Sequence, residues 1–130
     1  MEIERDVLNF TSMFKSYTDA TKSVDGQRII VLGMGGSGIS GDIASALCET
    51  TASTQVIAWK NYGLPKWITK NDSVICISYS GNTEETLSGA KKAIELGCNV
   101  SAITTGGKLK EIITDYGGEV IKVETGHQPR

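Results

Sequence analysis

Two short loops of the sequence carry residue types that bind anionic ligands without the help of a metal. The first, residues 33–38, reads Gly-Met-Gly-Gly-Ser-Gly, and the second, residues 78–83, reads Ser-Tyr-Ser-Gly-Asn-Thr. Glycine lets the backbone approach a ligand closely, and hydroxyl and backbone N–H groups donate hydrogen bonds to anionic oxygens. The two loops therefore indicate recognition of a small anion.

The first loop matches the Gly-x-Gly-x-x-Gly pattern of dinucleotide-binding folds. That interpretation requires an acidic residue about 20 positions further on to hold a ribose hydroxyl, but residues 58–62 read Ala-Trp-Lys-Asn-Tyr. A P-loop is excluded because no Gly-Lys-Ser/Thr follows. A purely structural role stays open, since glycines also allow a tight turn and close packing of a helix on a strand. The sequence thus predicts no cofactor.

The second loop places the hydroxyls of Ser78, Ser80 and Thr83 at the start of a predicted helix. A helix N-terminus carries roughly half a positive charge, so this loop predicts a dianion site built without lysine or arginine. The alternative is helix capping, with Asn82 as the N-cap and Glu85 completing a capping box. Both interpretations can hold, because a cap uses one group and the loop offers several.

Two carboxylates, Glu84 and Glu85, follow this loop directly. Acidic side chains suit the first turn of a helix, but they would repel a bound phosphate if they turned inward. We expect both to face solvent.

The elements that position the two loops alternate between strand and helix patterns. Apolar, β-branched runs predict strands at 28–33, 54–59, 73–78, 99–104 and 119–123. Apolar spacings of three and four predict helices at 1–20, 38–49, 83–97 and 109–116. Such alternation implies right-handed crossovers, so we predict an α/β fold with a five-stranded parallel sheet behind an N-terminal helix. In such sheets ligands bind beyond the carboxyl ends of the strands, where both loops lie.

Composition limits the function classes. The 130 residues are 39% apolar and 22% charged, which suits a single domain: an N-terminal helix and turn over 1–24 and a parallel core over 25–130. A net charge of -2 argues against nucleic acid as a partner. No apolar run is long enough for a membrane span, and the acidic N-terminus is unlike a signal peptide, so we expect a cytoplasmic protein. Cys48, Cys76 and Cys98 lack metal-ligand or disulfide spacing and are expected to fill the core.

The two loops together resemble the sugar isomerase (SIS) domain family. Three further segments extend the resemblance to one branch, the archaeal-type bifunctional phosphoglucose/phosphomannose isomerases: Leu-Pro-Lys-Trp at 64–67, Ile-Thr-Thr-Gly-Gly at 103–107 and Gln-Pro-Arg at 128–130. The resemblance implies a flavodoxin-like three-layer sandwich that binds glucose, fructose or mannose 6-phosphate. Its implied substrate-binding residues comprise three that hold the phosphate, Ser78, Ser80 and Thr83, and three that line the sugar, Gly35, Gly36 and Ser37.

For catalysis, the resemblance implies that Arg130 stabilises an enediolate-like intermediate. A base glutamate, a ring-opening histidine from the neighbouring subunit and a lysine would come from a region that this chain does not include. The one histidine, His127, is expected to be a solvated tail residue. The chain therefore resembles half of an active site, cut from a homodimeric protein with two SIS domains and with no metal.

Three alternatives stay open at this stage. The chain could be a stand-alone sugar-phosphate-binding regulatory module. It could belong to an isomerase of another phosphosugar, such as phosphoheptose, arabinose 5-phosphate or glucosamine 6-phosphate. A nucleotide-dependent oxidoreductase is supported only by the Gly-x-Gly-x-x-Gly pattern, and it predicts binding of NAD(P).

Overall fold

The part of the chain that the computed structural model describes, residues 28–51 and 55–122, contains five strands and three helices, and a helix separates successive strands except between the second and the third. The strands are β1 (Arg28–Leu32), β2 (Gln55–Trp59), β3 (Ser73–Ser78), β4 (Asn99–Thr104) and β5 (Glu119–Lys122). The helices are α1 (Gly35–Thr51), α2 (Glu84–Leu96) and α3 (Gly107–Tyr116). The helix predicted at 1–20 and the tail with His127 and Arg130 lie outside the described residues.

The strands form one sheet in the order β2-β1-β3-β4-β5, and every neighbouring pair is parallel. The predicted five-stranded parallel α/β fold is confirmed. The chain runs outward from β1 to β2, crosses back over β1 to β3, and continues outward to β5. The order of strands therefore reverses between β1 and β3, and such a switch point opens a crevice at the carboxyl ends of the two strands.

Both faces of the sheet are covered at its centre, which explains why β1 and β3 are continuous apolar runs rather than alternating ones. Successive residues Ile29 and Ile30 point to opposite faces, and both are fully buried. The Ile30 side packs with residues of α2 and α3, including Ala90 and Leu109. The Ile29 side packs with Ala44 of α1. These three layers hold the ends of β1 and β3 in fixed positions.

Two of the helices end at a glycine. Gly97 and Gly117 adopt left-handed conformations, with φ of 81° and 91°, and end α2 and α3 as their positions predict. The start of α1 differs from the prediction, since this helix begins at Gly35 instead of residue 38. A glycine run has no apolar spacing, so periodicity could not detect this first turn.

The amino ends of β1 and β3 are joined by a polar contact that the sequence analysis missed. Arg28 donates to the buried carboxylate of Asp72 from Nε and from a terminal guanidinium nitrogen, both at 2.9 Å. Its guanidinium also stacks 4.4 Å from the ring centroid of Trp67. This cluster lies at the opposite edge of the sheet from the two glycine loops, so it stabilises the scaffold only.

Two of the cysteines are core residues, as expected. Cys76 and Cys98 are buried, and burial raises the pKa of the Cys76 thiol to about 12. The side chain of Cys48 lies outside the description. Within residues 28–51 and 55–122, no helix combines the length and the apolar character that a membrane span requires.

Candidate functional site

The two glycine loops lie at the same edge of the sheet, on either side of the switch point. We call residues 33–38 the β1 loop and residues 78–83 the β3 loop. Leu32 pairs with Cys76, so β3 extends two residues further and ends at Ser78, which pairs with Thr104 of β4. The six substrate-binding residues that the sequence predicts all belong to these two loops and therefore share one crevice.

The β1 loop combines a tight turn with an open surface. A Cβ atom on Gly33 would lie 2.9 Å from the backbone of Ser37, so only glycine fits at that position. At Gly35 and Gly36, by contrast, an added Cβ would meet nothing within 4 Å. The N–H groups of Ser37 and Gly38 already donate to the carbonyl of Met34. The donors that the start of α1 offers to this open space are therefore those of Gly35 and Gly36. This loop can therefore bring its backbone close to a ligand.

Hydroxyl groups of the β3 loop hold the loop in shape. Ser78 is only 2% exposed. Its Oγ lies 2.8 Å from Oγ1 of Thr83 and accepts a hydrogen bond from the N–H of Gly81 at 3.1 Å. Ser80 is exposed, and its Oγ accepts from the N–H of Asn82 at 3.1 Å. Ser78 thus supports the loop from beneath, while Ser80 and Thr83 lie nearer its outer surface.

The start of α2 lacks a side-chain cap. Thr83 occupies the N-cap position, with φ of -66° and ψ of 119°, and makes no capping hydrogen bond. The predicted cap at Asn82, with its capping box to Glu85, is wrong. The reason is a contact with α3, because Oδ1 of Asn82 accepts the backbone N–H of Lys108 at 3.1 Å. The N-terminus of α2 is therefore left for another hydrogen-bond acceptor.

A third loop, residues 104–107 after β4, supports the β3 loop from the side, and we call it the β4 loop. Its backbone touches the β3 loop so closely that a Cβ on Gly81 would lie 1.9 Å from the carbonyl oxygen of Gly106, and one on Gly107 2.5 Å from that of Ser80. The N–H of Leu109 donates to the carbonyl of Gly81 at 2.9 Å. The Thr-Thr-Gly-Gly segment is visible in the sequence, but its contact with the β3 loop could be predicted only by knowing that β4 lies beside β3 in the sheet.

An ion pair lies beside the β1 loop. At the end of β2, Lys60 forms an ion pair with Asp42 of α1, and its side chain packs against Gly38. A dinucleotide-binding fold has an acidic residue in this region.

The two carboxylates after the β3 loop differ in exposure. Glu84 is exposed as expected, whereas Glu85 is half-buried. The hydroxyl of Tyr62 donates to Oε2 of Glu84 at 3.3 Å. Glu85 and, to a smaller extent, Glu84 raise the pKa of Tyr62 through hydrogen bonds and their negative charges.

No group of three or more histidine, cysteine, aspartate or glutamate side chains able to hold a metal occurs in residues 28–51 and 55–122. What the two loops share is a set of backbone donors and hydroxyls. Such a surface binds a phosphate or a polyhydroxylated ligand. The predicted catalytic residue, Arg130, lies outside the described part of the chain.

Comparisons with known proteins agree with this chemistry. Residues 24–113 match the family model described as SIS domain. A bifunctional phosphoglucose/phosphomannose isomerase from Thermoplasma acidophilum is 40% identical over 97% of this chain and 36% of the relative. A D-glucosamine-6-phosphate 4-epimerase from Sulfolobus acidocaldarius is 37% identical over 80% of this chain and 33% of the relative. The match to the solved structure of tagatose-6-phosphate ketose/aldose isomerase from Escherichia coli covers 92% of this chain and 35% of the isomerase chain, with a TM-score of 0.69 and 18% identity.

The solved structure is too distant in sequence to support more than a shared fold, which is the parallel α/β fold described above. The chain spans about a third of the length of the curated relatives it matches. The family model covers most of the chain and includes both the β1 loop and the β3 loop. On these grounds, the chain belongs to the SIS domain family.

Proposed function

We propose that this chain is the sugar-phosphate-binding half of an aldose–ketose isomerase that interconverts glucose 6-phosphate and mannose 6-phosphate with fructose 6-phosphate. The observation that supports this most directly is the uncapped N-terminus of α2, which is surrounded by the hydroxyls of the β3 loop and lies across the switch point from the open β1 loop. The similarity to bifunctional phosphoglucose/phosphomannose isomerases supports the choice of substrate.

In this proposal the phosphate lies on the β3 loop. The hydroxyls of Ser80 and Thr83 and the first N–H groups of α2 donate to its oxygens, and the helix dipole favours its negative charge. Ser78 contributes to phosphate binding indirectly, because its buried Oγ holds the N–H of Gly81 and the hydroxyl of Thr83 in place. The absence of a side-chain cap leaves the N-terminus of α2 open to this ligand.

The sugar then extends across the crevice to the β1 loop. Gly35 and Gly36 have open space where a side chain would begin, so their backbone can approach sugar hydroxyls closely. Ser37, half-buried in the first turn of α1, adds a hydroxyl. In this division the phosphate lies at one loop and the sugar ring at the other.

Isomerisation moves a proton from C2 of the aldose to C1 of the ketose through an enediolate, so it requires a base, a group that opens the ring and a stabiliser of the developing oxyanion. We propose Arg130 as the stabiliser. The base, the histidine and the lysine would come from a second SIS domain and from the neighbouring subunit of a cytoplasmic homodimer. The domain over 1–130 would then bind hexose phosphates for a central carbohydrate pathway without turning them over alone.

An amide-resolved NMR titration with fructose 6-phosphate tests the binding proposal, with NAD as the control ligand. We expect shifts concentrated at residues 78–83 and 35–37, and none with NAD. Thr83→Val, which keeps the shape of the side chain, should weaken binding. Thr114→Val, an exposed position in α3, is the matched control. Shifts with NAD at the β1 loop alone would overturn the proposal, and turnover of fructose 6-phosphate by this chain would overturn its inactive part.

A second candidate is supported by the 37% identity to a D-glucosamine-6-phosphate 4-epimerase. A 6-phosphate on a different hexose would use the same β3 loop, so the two candidates differ at the sugar. Parallel titrations with glucosamine 6-phosphate and fructose 6-phosphate separate them. Tighter binding of the amino sugar, with the larger shifts at residues 35–37, would favour the epimerase.

A further inference from the structure

A glutamate stands where it should interfere with an anion site. Glu84 is the first residue of α2 and directly follows Thr83 of the β3 loop. The positive end of a helix attracts a carboxylate for the same reason that it attracts a phosphate. A Glu84 side chain turned over the β3 loop would occupy this end of the helix and would repel a dianion.

The segment after β2 provides a hydrogen-bond donor, Tyr62, that holds the Glu84 carboxylate away from the β3 loop. The Tyr62 hydroxyl donates to Oε2 of Glu84 at 3.3 Å. The backbone beside this tyrosine is fixed on α2, because the N–H of Gly63 donates to Oγ of Ser88 at 3.0 Å. The carbonyl oxygen of Gly63 lies 2.8 Å from the position of a Cβ on Gly89, an approach that only glycine allows. Tyr62 is therefore anchored to α2 through its neighbour Gly63, and its hydroxyl bonds to Glu84, the first residue of the same helix.

The carboxylate lies beside a groove in which positive charge is available. Tyr62 and Glu84 line a groove of about 590 Å³ along α2, together with one carboxylate, Glu95, and three lysines, Lys91, Lys92 and Lys108. Glu85 also interacts with Tyr62, and its hydrogen bond and charge raise the pKa of the phenol more than those of Glu84 do. Lys92 pairs with Glu95 at 3.7 Å, so Lys91 and Lys108 carry the remaining positive charge of the groove.

We propose that Tyr62 is a positioning residue that keeps the Glu84 carboxylate on the groove side of α2 and so leaves the helix N-terminus free for the phosphate of the ligand. This inference rests on the proposed function, because it assumes that the β3 loop binds a phosphate monoester. It assigns a role to an exposed tyrosine and to an acidic residue for which sugar-phosphate binding alone gives no reason.

The test is a set of four dissociation constants for fructose 6-phosphate at low ionic strength, for the unchanged chain, Tyr62→Phe, Glu84→Gln and the double variant. A released carboxylate several ångströms from a dianion in water should weaken binding roughly fivefold in Tyr62→Phe. Glu84→Gln should bind at least as tightly as the unchanged chain. In the double variant the loss caused by Tyr62→Phe should disappear, since no charge remains to be held.

Three controls separate positioning from other roles of Tyr62. Glu95→Gln removes the same charge from the same groove and should not rescue Tyr62→Phe. The loss should shrink at about 1 M salt, where charges are screened within roughly 3 Å. Fructose without phosphate should show no difference between Tyr62→Phe and the unchanged chain.

Two results would overturn the inference alone while the unchanged chain still binds. One is a Tyr62→Phe variant that binds as well as the unchanged chain. The other is a loss that persists in the Glu84→Gln background, because Tyr62 would then position Glu85, contact the sugar itself or maintain the loop. If the unchanged chain shows no binding at residues 78–83, the proposed function fails, and this inference fails with it.

Discussion

The β1 loop and the β3 loop both depend on glycine, but for different reasons. In the β1 loop, Gly35 and Gly36 face open space. In the β3 loop, Gly81 faces the backbone of the β4 loop, where a side chain would overlap the Gly106 carbonyl. The β1 loop leaves open space at Gly35 and Gly36, whereas the β3 loop is packed against the backbone of the β4 loop at Gly81. Glycines in two loops of one site therefore need not tolerate substitution equally.

The largest effect should come from Gly81→Ala. The new Cβ would lie 1.9 Å from the Gly106 carbonyl oxygen, and the residue would have to keep a φ of 76°. Strain and overlap together should lower the free energy of unfolding by at least about 3 kcal/mol. Urea denaturation measures this change. A variant as stable as the parent would show that the β3 and β4 loops are not packed against each other.

A smaller loss is expected from Ser78→Ala. This change removes a buried acceptor for the N–H of Gly81 and a partner for the Thr83 hydroxyl. The free energy of unfolding should fall by about 1–2 kcal/mol. Ser80→Ala, at an exposed position, should lose roughly 0.5 kcal/mol or less. Equal losses in the two denaturation curves would contradict the division between a supporting and an outer hydroxyl.

Gly36→Ala should have opposite effects on stability and on binding. Nothing lies within 4 Å of the added Cβ, and alanine favours a helical turn, so stability should rise by up to about 1 kcal/mol. The methyl group would project into the crevice and should weaken fructose 6-phosphate binding roughly tenfold, as the loss of one hydrogen bond to a charged or polar ligand would. Thermal unfolding and titration of the same sample check both. Unchanged affinity would show that the open space is not used.

The smallest effect is expected at Thr86, in the first turn of α2. This side chain is 2% exposed, and its Oγ1 has no hydrogen-bond partner. Thr86→Val should therefore leave stability unchanged or raise it by about 0.5 kcal/mol. The matched control is Thr104→Val, because Oγ1 of Thr104 bonds to the backbone of Gly106, and its loss should cost about 1–2 kcal/mol. Destabilisation by Thr86→Val would show that the hydroxyl has a partner in solution.

Local patterns were sufficient for the sheet and for the location of the site. Short apolar, β-branched runs identified all five strands, most clearly β1, which is buried on both faces and has no polar position after Arg28. The glycines at 97 and 117 marked the ends of α2 and α3, since a left-handed terminus favours glycine. The two loops were placed at one edge because all the strands are parallel.

Features that depend on contacts between distant residues were missed or wrong. Asn82 has the side chain of an N-cap, but its Oδ1 bonds to the backbone of Lys108, 26 residues further on. The hydrogen bond from Tyr62 to Glu84 joins residues 22 apart, and the β4 loop contacts the β3 loop only because β4 follows β3 in the sheet. Whether the six candidate residues bind a sugar phosphate stays a prediction, which the titrations above address.

The contact between the β3 and β4 loops also has a consequence for the order in which the chain folds. The carbonyl of Gly81 accepts the N–H of Leu109, and Gly107 fits against Ser80. Residues 78–83 therefore cannot reach their final shape on a ribosome until β4 and the first turn of α3 have emerged and docked. A nascent chain that ends before residue 104 would contain the whole Ser-x-Ser-Gly-x-Thr motif and still have no finished loop.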